Sequence, residues 1–251
     1  MAQRSTVPVH PAGSAPAGVI DAAAASAAGP ARTHNEDAWL AAPPLLAVAD
    51  GVGGGPGGEV ASWAAVQALP AGLAVDGAPT ERVAGVVASA EAAVHAHAER
   101  DERLRGLSCT LTAAFVEDGT LALAHVGDSF AGVLRGGRLR RLSAEHTLVA
   151  EYVRDGRLTP VAAERHPLRS VLTRWIGGAV PARPQLRAVT LVPGDVVLLC
   201  TDGVAREISD AEISWLLGLD LPAEEIAQRL VMRARARGGS DDATAVVARI
   251  G

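Results

Sequence analysis

The chain has 251 residues, 49% of them apolar and 20% charged, with a formal net charge of −5 at pH 7. That length supports one large domain or two small ones around a sizeable core. Interspersed acidic and basic residues exclude the basic stripe of a nucleic-acid binder, and no apolar run is long enough to span a bilayer. All 23 basic residues are arginine. The absence of lysine removes a P-loop amine and any Schiff-base mechanism, while arginine keeps a bidentate grip on phosphate available. Cys109 and Cys200 sit in apolar, strand-like surroundings and read as core thiols of a cytoplasmic protein.

Residues 1–17 are rich in Pro, Gly, Ala and Ser and read as a flexible lead-in without the pattern of a signal peptide. Ala22 to Ala28 has helical propensity. The apolar run Leu45–Ala49 ends at Asp50-Gly51, and a glycine-dense stretch follows to Gly58. Glu59 opens a helical pattern through Val60, Trp63 and Leu69. A longer helix is expected with Thr80 as N-cap and Val83, Val86, Val87, Ala90 and Val94 at helical spacing. Four strands are predicted near 108–116, 121–126, 130–134 and 138–142, with turns at Asp118-Gly119 and Gly136-Gly137.

The segment 143–166 is polar and helical and is expected to form an exposed flap. Strands near 170–175 and 186–191 come next. Pro193-Gly194-Asp195 turns into the apolar strand Val196–Cys200, which stops at Asp202-Gly203. Helices near 210–217 and 222–236 precede a closing strand, 243–250. Strands joined mostly by turns, with helices inserted in pairs, imply one α+β domain over residues 18–251.

Four places deliver an aspartate to the end of a strand or turn: Asn35-Glu36-Asp37, Asp50-Gly51, Asp202-Gly203 and Asp241-Asp242. Each alone is an ordinary turn or helix cap. Together they describe carboxylates gathered on one rim of a sheet, where mutual repulsion raises their pKa values unless cations neutralise them. Hard ions such as Mg²⁺ and Mn²⁺ take oxygen ligands of this kind. The Gly51–Gly58 run lacks the lysine of a P-loop and the spacing of a dinucleotide fingerprint, so its glycines are read as permitting close backbone approach.

In this order the motifs resemble the metal-dependent protein phosphatases of the type-2C class in their bacterial form. The matching stretches are Arg32-Thr-His-Asn-Glu-Asp37, Val48-Ala-Asp-Gly-Val-Gly-Gly54, Gly127-Asp-Ser129, Leu172-Thr-Arg174 with Gly177-Gly178, Thr201-Asp-Gly203 and Gly239-Ser-Asp-Asp-Ala-Thr244. The resemblance implies a β-sandwich of two antiparallel sheets flanked by helix pairs, with an edge strand at Ala22–Ala28 in place of a helix. It also implies two divalent cations, Mn²⁺ or Mg²⁺, and a weaker third. Asp50 would bridge the pair, and Asp202 and Asp241 would complete the first ion's ligands. The Gly51 carbonyl, with Glu36 or Asp37 directly or through water, would hold the second. Asp128 would serve the third, and Arg32 would grip the substrate phosphate.

The implied activity is hydrolysis of phosphoserine and phosphothreonine in proteins by water activated between two cations about 3.5–4 Å apart. The implied setting is a monomer opposing a bacterial Ser/Thr kinase. Two other functions fit parts of the pattern: a silent phosphoprotein-binding module, and a phosphohydrolase of small molecules. The chain differs from the family at Phe130, where arginine is common, at Asp242, where asparagine is usual, and at Val52, which in some relatives is a histidine. His34, His125 and His146 receive no role.

Overall fold

The computed structural model describes residues 18–52 and 57–251; the expected lead-in, 1–17, lies outside them. Ten strands form two five-stranded sheets. One contains β1 (Val19–Ala27), β10 (Ala243–Ile250), β9 (Val196–Cys200), β6 (Phe130–Arg135) and β7 (Arg138–Arg141), in that spatial order. The other contains β2 (Asp37–Ala42), β3 (Leu45–Asp50), β4 (Leu111–Glu117), β5 (Thr120–Val126) and β8 (Gln185–Thr190). Every pairing is antiparallel.

Alternation along each strand builds the layers. Val246 and Ala248 of β10, Val197 and Leu199 of β9, and Leu46 and Val48 of β3 fill the space between the sheets. The intervening residues Ala245, Val247, Leu198 and Cys200 turn toward helices α6 (Asp210–Leu217) and α7 (Ala223–Ala236). On the other sheet, Leu45, Ala47 and Ala49 pack under α1 (Gly58–Gly72) and α2 (Pro79–Arg100). Strands buried on both faces are apolar throughout, which is why β3 carries no polar residue before its terminal Asp50 and β9 carries none at all. The four-layer sandwich expected from the resemblance is thus formed.

Ala22–Ala27 is an edge strand. Ala22 and Ala24 face the space between the sheets, while Ala23, Ala25 and Ala27 face α7, so small apolar residues on both faces override alanine's helical preference. Asp21 Oδ2 accepts the Ala223 N–H at 2.7 Å and caps α7.

Two local expectations are corrected. The N-cap of α2 is Ala78, with Pro79 as the first helical residue. Thr80 lies inside the helix, and the Glu81 carboxylate accepts the Ala78 N–H at 2.9 Å. Residues 170–175 form no strand. Leu148 N–H donates to Val171 O and Thr173 N–H to His146 O, both at 2.8 Å, but Thr147↔Leu172 is an isolated bridge. The partner segment coils into α3 (Leu148–Arg154) immediately afterwards, so no ladder can extend. Within 143–166, α3 and α4 (Pro160–Glu164) are the helical parts; His146, Thr147 and Val149 are buried beneath an otherwise open segment.

Candidate active site

Antiparallel pairing brings distant aspartates to one rim. The β2–β3 register sets Asp37 directly opposite Asp50. In the other sheet, β9 ends and β10 begins side by side, which places Asp202 near Asp241 and Asp242. Gly127-Asp128-Ser129 carries the chain from β5 in one sheet to β6 in the other. The rim is stitched across the sandwich by Thr201, whose hydroxyl donates to Asp37 Oδ2 at 2.8 Å. Thr110 Oγ1 accepts the Asp50 N–H at 3.1 Å and lies 3.2 Å from Ser129 Oγ.

Close backbone approach tightens the rim at two glycines. A Cβ on Gly203 would lie 2.0 Å from the Asp242 carbonyl oxygen, and one on Gly51 would lie 2.4 Å from the Gly58 backbone. Only glycine fits either place, in keeping with the sequence reading of Gly51–Gly58. Residues 53–56 of that run lie outside the described residues. Gly51 N–H donates to Glu36 O at 3.0 Å, fixing Gly51 beside the Glu36–Asp37 segment.

The electrostatics match a crowded acidic centre. Burial, reinforced by the charges of Asp37, Asp202, Asp128 and Asp241, pushes the Asp50 carboxyl well above the usual carboxylate range. Asp37 is pushed up to about 8, chiefly by burial, with hydrogen bonds from Thr244 and Thr201 partly offsetting the repulsion of Asp242 and Asp202. Asp128 rises to about 7 through burial and the nearby Asp202 charge, held back by Arg206. Asp202 is raised as well, mainly by burial and against the pull of Arg206. Asp37 Oδ1 and Asp202 Oδ1 are buried without a hydrogen-bond partner among the described residues. A buried carboxylate oxygen left unpaired is costly, and a hard cation is the partner such oxygens suit.

Two arginines bracket the cluster. Arg32 contacts Glu36 and Asp241, with its Nε 3.9 Å from Asp242 Oδ2. On the other side Arg206 reaches Asp202 Oδ2 at 2.5 Å and Asp128 Oδ2 at 2.6 Å. Among the described residues, no three His, Cys, Asp or Glu side chains enclose a common point as they stand. The predicted residues Arg32, Glu36, Asp37, Asp50, Gly51, Asp128, Asp202 and Asp241 nevertheless share this one rim.

Three residues assigned no role from sequence support the site. Arg206 stands four residues after Asp202, a spacing that places both on one face of a helical turn; that spacing was the available signal. Asp242, 1% exposed, accepts the Gly29 N–H and the Glu36 N–H at 2.8 Å each, so it clamps the segment bearing Arg32 and Glu36. His146 accepts the Gly127 N–H on Nδ1 at 3.1 Å, while its own N–H donates to the Gly127 carbonyl at 2.8 Å. It stacks at 4.9 Å on His125, itself bonded to Thr112 at 2.8 Å. Burial keeps both imidazoles neutral, with pKa values lowered to about 3 for His125 and about 4 for His146. Phe130 is buried in the helix-side core, and the guanidinium of Arg141 lies over its ring at 4.8 Å.

Asp242→Ala should strand two N–H groups at once, the buried one of Gly29 and the half-buried one of Glu36. The expected cost is about 2–4 kcal/mol, read as a fall of several degrees in the melting temperature. An unchanged melt would show that the clamp does not bear on stability.

A family model described as "Protein phosphatase 2C" matches residues 30–242. The chain belongs to that family. It is 38% identical over 234 residues to the serine/threonine protein phosphatase PstP of Mycobacterium tuberculosis, covering 92% of this chain and 45% of that one. This chain therefore spans about half the length of that curated relative. The protein phosphatase PhpP of Streptococcus pneumoniae is 33% identical over 226 residues, covering 86% of this chain and 92% of that one. Among solved structures, PstP/Ppp of M. tuberculosis superposes with a TM-score of 0.86 at 36% identity, covering 92% of this chain and 98% of that one. The catalytic domain of PstP in complex with two manganese ions gives a TM-score of 0.83 at 35% identity, covering 93% and 99%.

Proposed function

We propose that the chain is a divalent-cation-dependent phosphatase that removes phosphate from phosphoserine and phosphothreonine in proteins. The observation that carries this reading is the buried acidic rim, in which two carboxylate oxygens lack partners. The two manganese ions of the PstP catalytic domain support Mn²⁺ or Mg²⁺ as the missing countercharge. Asp50, Asp202 and Asp241 would hold one cation. The Gly51 carbonyl, with Glu36 or Asp37, would hold the other. When bound, the cation pair supplies Lewis-acid activation of a water nucleophile.

The chain's own residues do the rest. Arg32 contacts Glu36 and Asp241 through its two terminal nitrogens, and once cations draw those carboxylates away its planar fork would be released to take two phosphate oxygens. Asp128 would serve a weaker third cation, which would have to compete with Arg206 for the same carboxylate. Val52 is apolar, so leaving-group protonation falls to water or to another residue. We assign residues 143–166 the role of a flap over the substrate. A cytoplasmic monomer opposing a Ser/Thr kinase is the setting in which these features fit. No helix among the described residues is long and apolar enough to cross a membrane.

Incubating the purified protein with a phosphothreonine peptide should release inorganic phosphate with Mn²⁺ and none after chelation. Absence of release at saturating Mn²⁺ would refute the proposal. Faster turnover of sugar phosphates or nucleotides than of phosphopeptides would reassign the substrate.

A further inference from the structure

The charge of the chain is unevenly placed. Residues 154–187 carry seven arginines against Asp155 and Glu164 alone, a formal +5 in a chain of −5, so the remainder carries −10. Arg154 is within 3.8 Å of Glu151. The other six, Arg157, Arg165, Arg169, Arg174, Arg183 and Arg187, have no carboxylate within salt-bridge distance among the described residues, and residues 1–17 and 53–56 contain no Asp or Glu. Elsewhere most described arginines are paired, as at Arg82–Glu117, Arg135–Asp195 and Arg237–Glu212.

The same segment is unusually apolar on its surface. It holds six of the twelve exposed large hydrophobic side chains among the described residues, including Leu168, Val171, Trp175 and Val180. Arg174 and Arg187 donate to the carbonyls of Arg183 and Leu142, and Arg157 lies over the Tyr152 ring, but none of these contacts neutralises charge. Guanidinium groups without a countercharge beside exposed aliphatic and indole surface are the composition of an interface core and rim. The segment also adjoins the acidic rim. Ser170 Oγ lies 3.0 Å from Arg206 NH1, the same guanidinium that binds Asp128 and Asp202.

We infer that the surface formed by residues 154–187 docks the polypeptide around the phosphorylated residue and selects segments bearing further negative charge. The charge comes from acidic side chains of the docked segment, and the apolar side chains receive its aliphatic or aromatic neighbours. A short peptide fits better than a polyanionic sheet or duplex, because the −10 carried by the rest of the chain repels an extended anionic surface. The role given to the docked segment rests on the phosphatase reading; the charge selection itself can be measured without turnover.

The test uses fluorescently labelled peptides carrying a non-hydrolysable phosphonate mimic of phosphothreonine, with Mn²⁺ present, and reads binding by anisotropy. One peptide has neutral flanks, one has glutamates on both sides, and one carries a second phosphonate nearby. The charged peptides should bind about tenfold more tightly than the neutral one at low salt, with the advantage vanishing at high salt. Arg165→Glu with Arg169→Glu should abolish the same advantage.

A gain shown by the glutamate peptide supports the inference, and one confined to the bisphosphonate would overturn it in favour of a second phosphate. Equal binding of all three peptides would overturn the inference, as would a gain that survives both high salt and the double charge reversal. Tighter binding to vesicles of anionic lipid than to any peptide would also overturn it, in favour of a membrane surface. Failure of phosphate release alongside intact charge selection would sink the phosphatase and leave the docking surface standing.

Discussion

Asp202→Asn is expected to lower Mn²⁺-dependent turnover of a phosphopeptide by on the order of 10²–10⁴-fold, about 3–5 kcal/mol of transition-state stabilisation. The substitution is nearly isosteric, so the fold around the short helix α5 (Asp202–Ala205) should persist. What changes is the chemistry of the rim. Asp202 presents one oxygen to Arg206 and one buried oxygen with no partner, and an amide can keep only one acceptor. Either the Arg206 contact or the candidate cation ligand is lost, and the net negative charge facing Asp50 falls by one. Steady-state kinetics should show the loss mainly in turnover, with a melting temperature after chelation close to that of the chelated wild type. Near-normal turnover would remove Asp202 from the proposed ligand set.

Removing the cations should destabilise the protein, and increasingly so as pH rises from about 6.5 to 8. The direction follows from the folded carboxyls. Asp37 and Asp128 have pKa values of about 8 and about 7 when folded, against roughly 4 in an unfolded chain. They hold protons that the unfolded chain has released. Their stabilising contribution is therefore complete below about pH 4 and lost as pH climbs through 7 and 8.

The buried histidines work the other way. His125 and His146, at about 3 and about 4, stay neutral while the unfolded chain protonates below about 6.5. Their effect is to raise stability with pH up to that point and then stop. Above pH 6.5 only the carboxyls remain, so the EDTA-treated protein should melt at progressively lower temperature toward pH 8. Added Mn²⁺ binds the ionised rim, and a site saturated a hundredfold above its Kd stabilises by about 2.7 kcal/mol. Its benefit should be larger at pH 8 than at pH 6.5, where protons compete for the same oxygens. A chelated protein whose melting temperature is flat or rising over that interval would contradict the buried-rim electrostatics.

Much of the architecture could be read from local pattern. The apolar runs 45–49 and 196–200, each stopped by Asp-Gly, became the doubly buried strands β3 and β9. The dipeptides Asp118-Gly119 and Gly136-Gly137 became the hairpin turns. Where local pattern failed, the deciding force was tertiary. Ala22–Ala27 is extended because two packed layers, α7 and the opposite sheet, cover its two faces. Residues 170–175 have strand composition, but their partner leaves after one bridge.

The acidic residues of the rim were legible as a set, because each ends or begins a strand. Their supports were not. Nothing in the spacing of Asp242 from Gly29 and Glu36 shows that both its oxygens grip that loop, and the contact of His146 with Gly127 exists only after β5 and the segment before α3 meet. Arg206 carried a signal in its four-residue spacing from Asp202, but that spacing acquires meaning only because the chain coils into α5 at that point.

The position of β10 sets the order in which the acidic rim can be assembled. It lies between β1 and β9, and the residues just before it supply both Asp241 and the Asp242 clamp. Arg32, Asp50 and Asp202 all precede β10 in the chain, yet the side of the rim that carries Asp202 and Asp241 closes only when β10 pairs with both β1 and β9. Any property that needs the whole rim therefore waits on the last strand of the sheet.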